Sequence, residues 1–308
     1  MSDMAASMNP AGIVGRSAER PSRRPRRPGG LPRRLSKLGF TTWLVAGLTI
    51  IILLVAVAGP ALVPFDPDAQ TLLARLRPPL GFERAMAVHP LGTDELGRDM
   101  LSRTVYGLRL TLLIALVGSA ISLTVGVAMG LIAGYLRGVI PALIMAIVDI
   151  QIAFPFTVIT LLVIAIFGNS LPVLIGVIGL SGWEVYARVI RAQVLSVSRQ
   201  PFVEAARAAG ASHGRIILRH ILPNVLSSII VVWTMTFSSL ILLESSLSFL
   251  GLGVEPPHPD WGLMLSTLRQ SIYVNPIVCA LPGVMIFVTS LAFNMVSDGL
   301  RQAMDVRL

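Results

Sequence analysis

The chain has 308 residues, of which 54% are hydrophobic and 13% charged, and a formal net charge of +9. A soluble domain carries roughly 25% charged residues, so this composition excludes a water-soluble globular protein, and it excludes a disordered or fibrous chain as well. The basic balance invites a nucleic-acid reading, which the placement of the charges removes.

Residues 1–40 hold nine basic residues, Arg16 through Lys37, against Asp3 and Glu19, a net charge of +7. This stretch, rich in Arg, Pro and Gly, lacks an apolar period and is expected to be a disordered basic cytoplasmic tail. No aromatic interleaving or folded reading head accompanies it, so no nucleic-acid partner is expected. A basic tail before an apolar segment keeps the N-terminus in the cytoplasm, beside anionic headgroups.

Six apolar runs approach the roughly 20 residues that a bilayer crossing needs. They are Thr42–Val63, Leu110–Gly134, Val139–Phe167, Leu171–Ile190, Val225–Leu247 and Val274–Met295. The first is too long for a signal-peptide core and has no small-residue cleavage site after it. The domain plan is therefore a tail at 1–40, a first transmembrane helix at 41–64, an extracytoplasmic loop at 65–107, a five-helix core at 108–296 and a cytoplasmic tail at 297–308.

Charge orients the rest. The end of the fourth run and the segment from there to the fifth carry Arg188, Arg191, Arg199, Arg207, Arg215 and Arg219 against Glu184 and Glu204, and this side falls inside. The segment after the fifth run has Glu255 and Asp260 against Arg269 and falls outside. Residues 64–109 are mixed in sign, and a long loop translocates whatever its charge. Both termini are then cytoplasmic. Gly118, Ser122, Gly126, Gly130 and Gly134 recur every four residues, a spacing that lets backbones approach closely within the chain or at a subunit contact.

Several chemistries lack their residues. Cys279 is the one cysteine, so there is no internal disulfide or thiolate metal site, and the four histidines show no ligand spacing. Lys37, the one lysine, does not follow a glycine-rich turn, so no Walker A loop exists and any ATP must bind another chain. No His-Glu-x-x-His pattern occurs, and no catalytic set, metal or cofactor is expected on this chain.

Asp149 and Glu244 are the ionisable residues deepest in apolar runs, and each must face a partner, a bundle interior or water. With Gln151 they are candidates either for lining a pathway or for tying helices together. A proton-coupled carrier using Asp149 and Glu244 is the rival from another class. Pro155 is expected to kink the third span near Ala153–Phe154. Glu184 and Arg188, at i and i+4, read as an interfacial pair.

The segment from Gln200 to Asn224 is the most informative. Pro201 suits a helix first turn, Glu204 complements the dipole there, and Ala205, Ala206, Ala208 and Ala209 give a slim helix. Gly210 fits the C′ position, and Ser212 can cap a second short helix that Pro223 stops. A slim helix held outside the membrane is suited to a partner's groove.

Glu204, Ala205, Ala206, Gly210, Leu222 and Pro223 resemble the EAA motif of ABC importer permeases, with His220 standing where the general motif has Ile. Arg219-His220-Ile221-Leu222-Pro223-Asn224 is usual in the dipeptide/oligopeptide/nickel branch. Phe65-Asp66-Pro67-Asp68, His89-Pro90-Leu91-Gly92-Thr93-Asp94, Gly97-Arg98-Asp99 and Leu101-Ser102-Arg103 resemble the C-type subunit of that branch. So do Glu244 through Gly253, Pro259-Asp260-Trp261-Gly262, and the end of the chain from Asp298 to Leu308. The resemblance covers about 60–308. Val306 and Glu184 depart from prolines usual at those places.

The resemblance implies an all-α, six-helix type I permease in a bacterial inner membrane. It implies a second, homologous permease subunit, two ATP-binding subunits (alike or different) that carry ATP and Mg, and an extracytoplasmic solute-binding protein. The helix at about 203–210 would be the coupling helix in the ATPase groove. Di- or oligopeptides are the expected cargo, with nickel, glutathione or another small solute as the alternative.

Overall fold

The structure, a computed structural model, describes residues 40–304. The basic tail before residue 40 and the last four residues lie outside them.

Eleven α-helices are present in this range. The helix α1 (Phe40–Ala58) closes in a short 3-10 turn, Gly59–Ala61. An irregular segment follows up to α2 (Met100–Tyr135). Next come α3 (Val139–Ala153), α4 (Phe156–Phe167), α5 (Leu171–Gly179) and α6 (Trp183–Val197). The short α7 (Pro201–Ala208) and α8 (His213–Ile216) lead through a π-helical turn, Ile217–Ile221, into α9 (Leu222–Phe249). The chain ends with α10 (Trp261–Leu268) and α11 (Pro276–Met304). Among the described residues the one β-type pairing is an isolated bridge between Thr93 and Asp99.

Five helical stretches are long and apolar enough to cross a membrane: Thr42–Ala61, Met100–Tyr135, Leu171–Val197, His213–Phe249 and Pro276–Met304. The third expected run behaves differently. In place of a kinked single helix, α3 and α4 meet at 92°. Pro155 has no N–H to give to the preceding turn, and Phe154 before it is extended (φ −98°, ψ 137°), as a residue ahead of proline prefers. Helix α3 therefore ends, and α4 restarts in a new direction.

Helix α2 is the centre of the fold, packing most extensively on α6 and also on α5 and α9. Its small residues explain the contact. A Cβ at Gly118 would lie 2.6 Å from Ile178 Cγ2, one at Gly130 2.9 Å from Ile190 Cβ, and one at Gly134 2.6 Å from Val194 Cβ. Gly126 lies against the Trp183 carbonyl in the same way. Ser122 donates to the carbonyl of Gly179 at 2.8 Å and to that of Ser181. Of the two readings of the four-residue repeat, the chain uses intramolecular packing.

Helix α2 starts at Met100, ahead of the expected boundary at 108, because its first turns are polar yet buried. Asp99 caps it, accepting from Ser102 N at 2.8 Å, and also accepts from Ser102 Oγ at 2.8 Å. Arg103, 3% exposed, donates to Pro67 O at 2.9 Å and pairs with Asp68 at 3.2 Å and Asp94 at 3.6 Å. Asp94 also holds Arg98 at 2.7 Å, and His89 meets Asp99 at 3.0 Å. Four of the mixed charges of residues 64–109, Asp68, Asp94, Arg98 and Arg103, thus pair with one another in a folded cap. Ser271 Oγ donates to Glu95 at 2.6 Å and ties that cap to the 3-10 turn, Arg269–Ser271, that follows α10.

The short helix that begins after Ser212 is not stopped by Pro223, contrary to expectation, but passes through the π turn into α9. Proline lacks the N–H that would bond Arg219 O, and the wide π turn at Ile217–Ile221 lets the helix run on with Pro223 in its first turn. Likewise α11 continues to Met304, past the expected end of the core at 296, with Gly299 and Ser297 buried.

Candidate functional site

Two places concentrate the candidate residues. The first is the loop between α6 and α9. Helix α7 buries Val203, while Phe202, Glu204, Ala205, Arg207 and Ala208 are exposed. Val203 enters a core formed by Leu131 of α2, Ile190 and Val194 of α6, Ile216 of α8, Ile221 of the π turn, and Val225 and Ile229 of α9. Val203 thereby packs α7 against residues of three spanning helices.

The end of α7 is sharply defined. Ala211 N–H donates to Ala206 O at 3.1 Å and Gly210 N–H to Arg207 O at 3.0 Å. This pair of bonds is the Schellman motif, and Gly210 takes its left-handed position at φ +79°. Ala206 is half-buried under this turn. Ser212 occupies the cap position of α8, but its side chain makes no capping bond; its carbonyl accepts from Ile216 N at 3.0 Å instead. Tyr135, at the end of α2, reaches His213 with its hydroxyl at 2.9 Å, and Arg207 lies 6.0 Å above the Tyr135 ring.

The second place lies within the spans, where α3 and α6 face each other. Asp149 Oδ1 accepts from Arg188 Nη2 at 2.7 Å. Gln151 Nε2 donates to Glu184 Oε2 at 3.0 Å and to Leu180 O at 2.8 Å, and Gln151 Oε1 accepts from Trp183 Nε1. Arg188 is thus paired across helices with Asp149, and the i, i+4 pairing with Glu184 read from spacing is replaced by a Gln151–Glu184 bond. Arg188 and Trp183 were missed as members of this cluster. The available signal was the two polar pairs, Asp149/Gln151 and Glu184/Arg188, each isolated in its own apolar run.

Glu244 is elsewhere. It is fully buried, accepting from Ser248 Oγ at 3.1 Å and Ser245 Oγ at 3.3 Å, and it hydrogen-bonds Asp260. Asp260 caps α10 through Leu263 N at 2.9 Å and accepts from Thr111 at 3.3 Å. Asp149 and Glu244 therefore engage different partners.

Comparison with known proteins gives the same direction. Residues 126–308 match the model of the family described as binding-protein-dependent transport system inner membrane component. The chain belongs to that family. It is 41% identical over 266 residues to the di/tripeptide transport system permease protein DppC of Pseudomonas aeruginosa, covering 86% of this chain and 88% of the relative. It is 37% identical over 267 residues to the glutathione transport system permease protein GsiD of Pectobacterium atrosepticum, covering 86% and 87%. A chain of the MetNI methionine ABC transporter, solved in inward-facing conformations, superposes with a TM-score of 0.50 at 19% identity. It covers 65% of this chain and 97% of that chain, and the likeness concerns the fold. This member of the family is a multi-pass membrane permease of an ABC importer with the type I fold, and such permeases work with ATPase and solute-binding components.

Proposed function

We propose that this chain is one of two homologous permease subunits that together form a pathway for di- or oligopeptides. Two separate ATP-binding subunits, holding ATP and Mg, drive it through α7, and an extracytoplasmic binding protein delivers the solute. Glu204, Ala205, Ala206 and Gly210 form the docking face and its turn, and Leu222 and Pro223 join that loop to α9. The α7 side is cytoplasmic, with both termini on that side. The folded cap of residues 62–99 faces the binding protein.

The observation that carries this reading is the exposed α7, closed by Gly210 and anchored through Val203 into the core shared by α2, α6 and α9. Such a helix has little surface packed on its own chain and can seat in a partner's groove. Peptide cargo is favoured by the relative named as a di/tripeptide permease; the relatives named as glutathione permeases favour a second reading, in which the cargo is that tripeptide-like thiol.

Purification of the tagged protein in mild detergent tests the assembly. The expected result is co-elution of a second permease and of ATP-binding subunits in equal numbers of permeases and ATPases. A chain that elutes without them under conditions that keep it folded and active would contradict the proposal.

A further inference from the structure

Asp149 and Arg188 sit on two spanning helices, yet their side chains are 65% and 53% exposed in the single chain. Asp149 lies ten residues into α3 from Val139, and Arg188 nine residues from the α7-side end of α6 at Val197. At 1.5 Å per residue these are rises of about 15 and 13 Å along the helices, so both charges lie well inside their helices and not at the ends. Charges at that depth are costly against lipid, so this face belongs to protein or to water.

The backbone favours water. Helix α3 breaks at Phe154–Pro155, and the α5–α6 span breaks at Leu180–Gly182, where Gly182 is left-handed at φ +85°. Both breaks lie beside the cluster, for Gln151 bonds the Leu180 carbonyl and Glu184. Irregular backbone at membrane depth is tolerated where it is buried in protein or lines a cavity. Discontinuous helices meeting near the midplane are also how transporters build solute sites.

The cluster offers two kinds of unused bonding capacity. Arg188 presents five N–H donors in a planar fork and engages Asp149 through Nη2, leaving an edge that fits a carboxylate. Asp149 retains its Oδ2, and half-buried Glu184 adds a second carboxylate that can accept from an ammonium group. Positive and negative sites of this kind, side by side, match the two ends of a zwitterion.

We propose that Asp149, Arg188, Gln151 and Glu184 form a polar station on the translocation pathway that binds the ammonium and carboxylate ends of a zwitterionic solute as it passes. The assignment rests on the importer reading above, and it deepens it by naming the chemical class the pathway accepts. In this role the side chains bind and release solute, and no bond to it is made or broken.

The test uses the whole importer with its binding protein in proteoliposomes and radiolabelled alanyl-alanine as the probe. Asp149→Asn and Arg188→Gln are each expected to lower uptake about tenfold, the loss of one charged contact. The charge exchange, Asp149→Arg with Arg188→Asp, keeps an ion pair but reverses its polarity, and uptake is expected to stay low. Recovery of wild-type uptake by the exchange would show that the pair only ties helices together and would overturn the proposal. A second measurement stands if the exchanged complex does not assemble. The Asp149→Cys variant should react with a charged methanethiosulfonate reagent, and alanyl-alanine under turnover should slow that reaction; absence of labelling, or labelling the peptide does not slow, would overturn the station. ATP-dependent uptake by the wild-type complex reports separately on the importer reading.

Discussion

Gly130→Leu is expected to prevent stable assembly of the bundle. A Cβ there would stand 2.9 Å from Ile190 Cβ and 3.0 Å from the Ala187 carbonyl, and Ile190 and Ala187 are fully buried in the facing helix. Neither neighbour is the free end of a flexible side chain, so α2 and α6 must separate. Overpacking of this kind costs about 1–3 kcal/mol and sometimes more, and here the displaced helices also carry the Ser122 bonds to Gly179 and Ser181 and the buried Ile190 and Val194 that hold Val203. Loss of the monodisperse peak in detergent size-exclusion chromatography, with membrane insertion retained, is the expected readout. Gly176→Ala is the control: nothing lies within 4 Å of its Cβ position, so it should be neutral or slightly stabilising. A Gly130→Leu variant as stable as the parent would show that the α2–α6 contact is not close in the membrane.

The second large effect concerns the loop. Glu204→Lys or Gly210→Asp should abolish ATP-dependent uptake, by about a hundredfold or more if one tenfold step accompanies each 1.4 kcal/mol of lost docking energy. Glu204 is exposed on α7, where reversal of its charge changes the docking face without touching the core. Gly210 sits at φ +79° in open space, so a side chain there meets no neighbour, but the left-handed turn resists it and its charge falls at the tip of the loop. Both variants should insert and remain folded, because Val203 and its core are untouched. Measured uptake and the amount of co-purified ATPase check this together. Full uptake by either variant would count against α7 as the coupling element.

Much of this architecture was legible in the residues because the membrane makes composition informative. The apolar runs identified the spans, and the four-residue repeat of small side chains on α2 marked its closest contact. The Pro201, Gly210 and alanine pattern delimited α7 with its turn. The misses share a cause, which is that local sequence does not show what a polar or breaking residue meets across the fold. The start of α2 at Met100 was hidden by Arg103, whose charge is neutralised by Asp68 and Asp94 only once the cap folds. Pro223 reads as a stop, yet the preceding π turn accommodates it. Pro155 reads as a kink, yet the two halves meet at 92°, with Gln151, Trp183 and Glu184 bonded to one another beside the break.

The candidate site divides along the same line. The loop residues could be placed from their local pattern, since their geometry is set by neighbours in sequence. The Asp149–Arg188 pair could not, because its members come from α3 and α6 and the nearer partner by spacing, Glu184, bonds Gln151 instead. Glu244 looked equivalent to Asp149 in the sequence, but burial with Ser245, Ser248 and Asp260 makes it part of the α9–α10 junction.

The central claim, that this permease is powered by ATP bound to other chains, is tested most directly by uptake of labelled alanyl-alanine into proteoliposomes holding the purified complex and its binding protein. Accumulation that requires ATP and is unchanged when the proton gradient is collapsed is the predicted result. Accumulation by this chain alone, driven by a proton gradient in the absence of ATP, would contradict it.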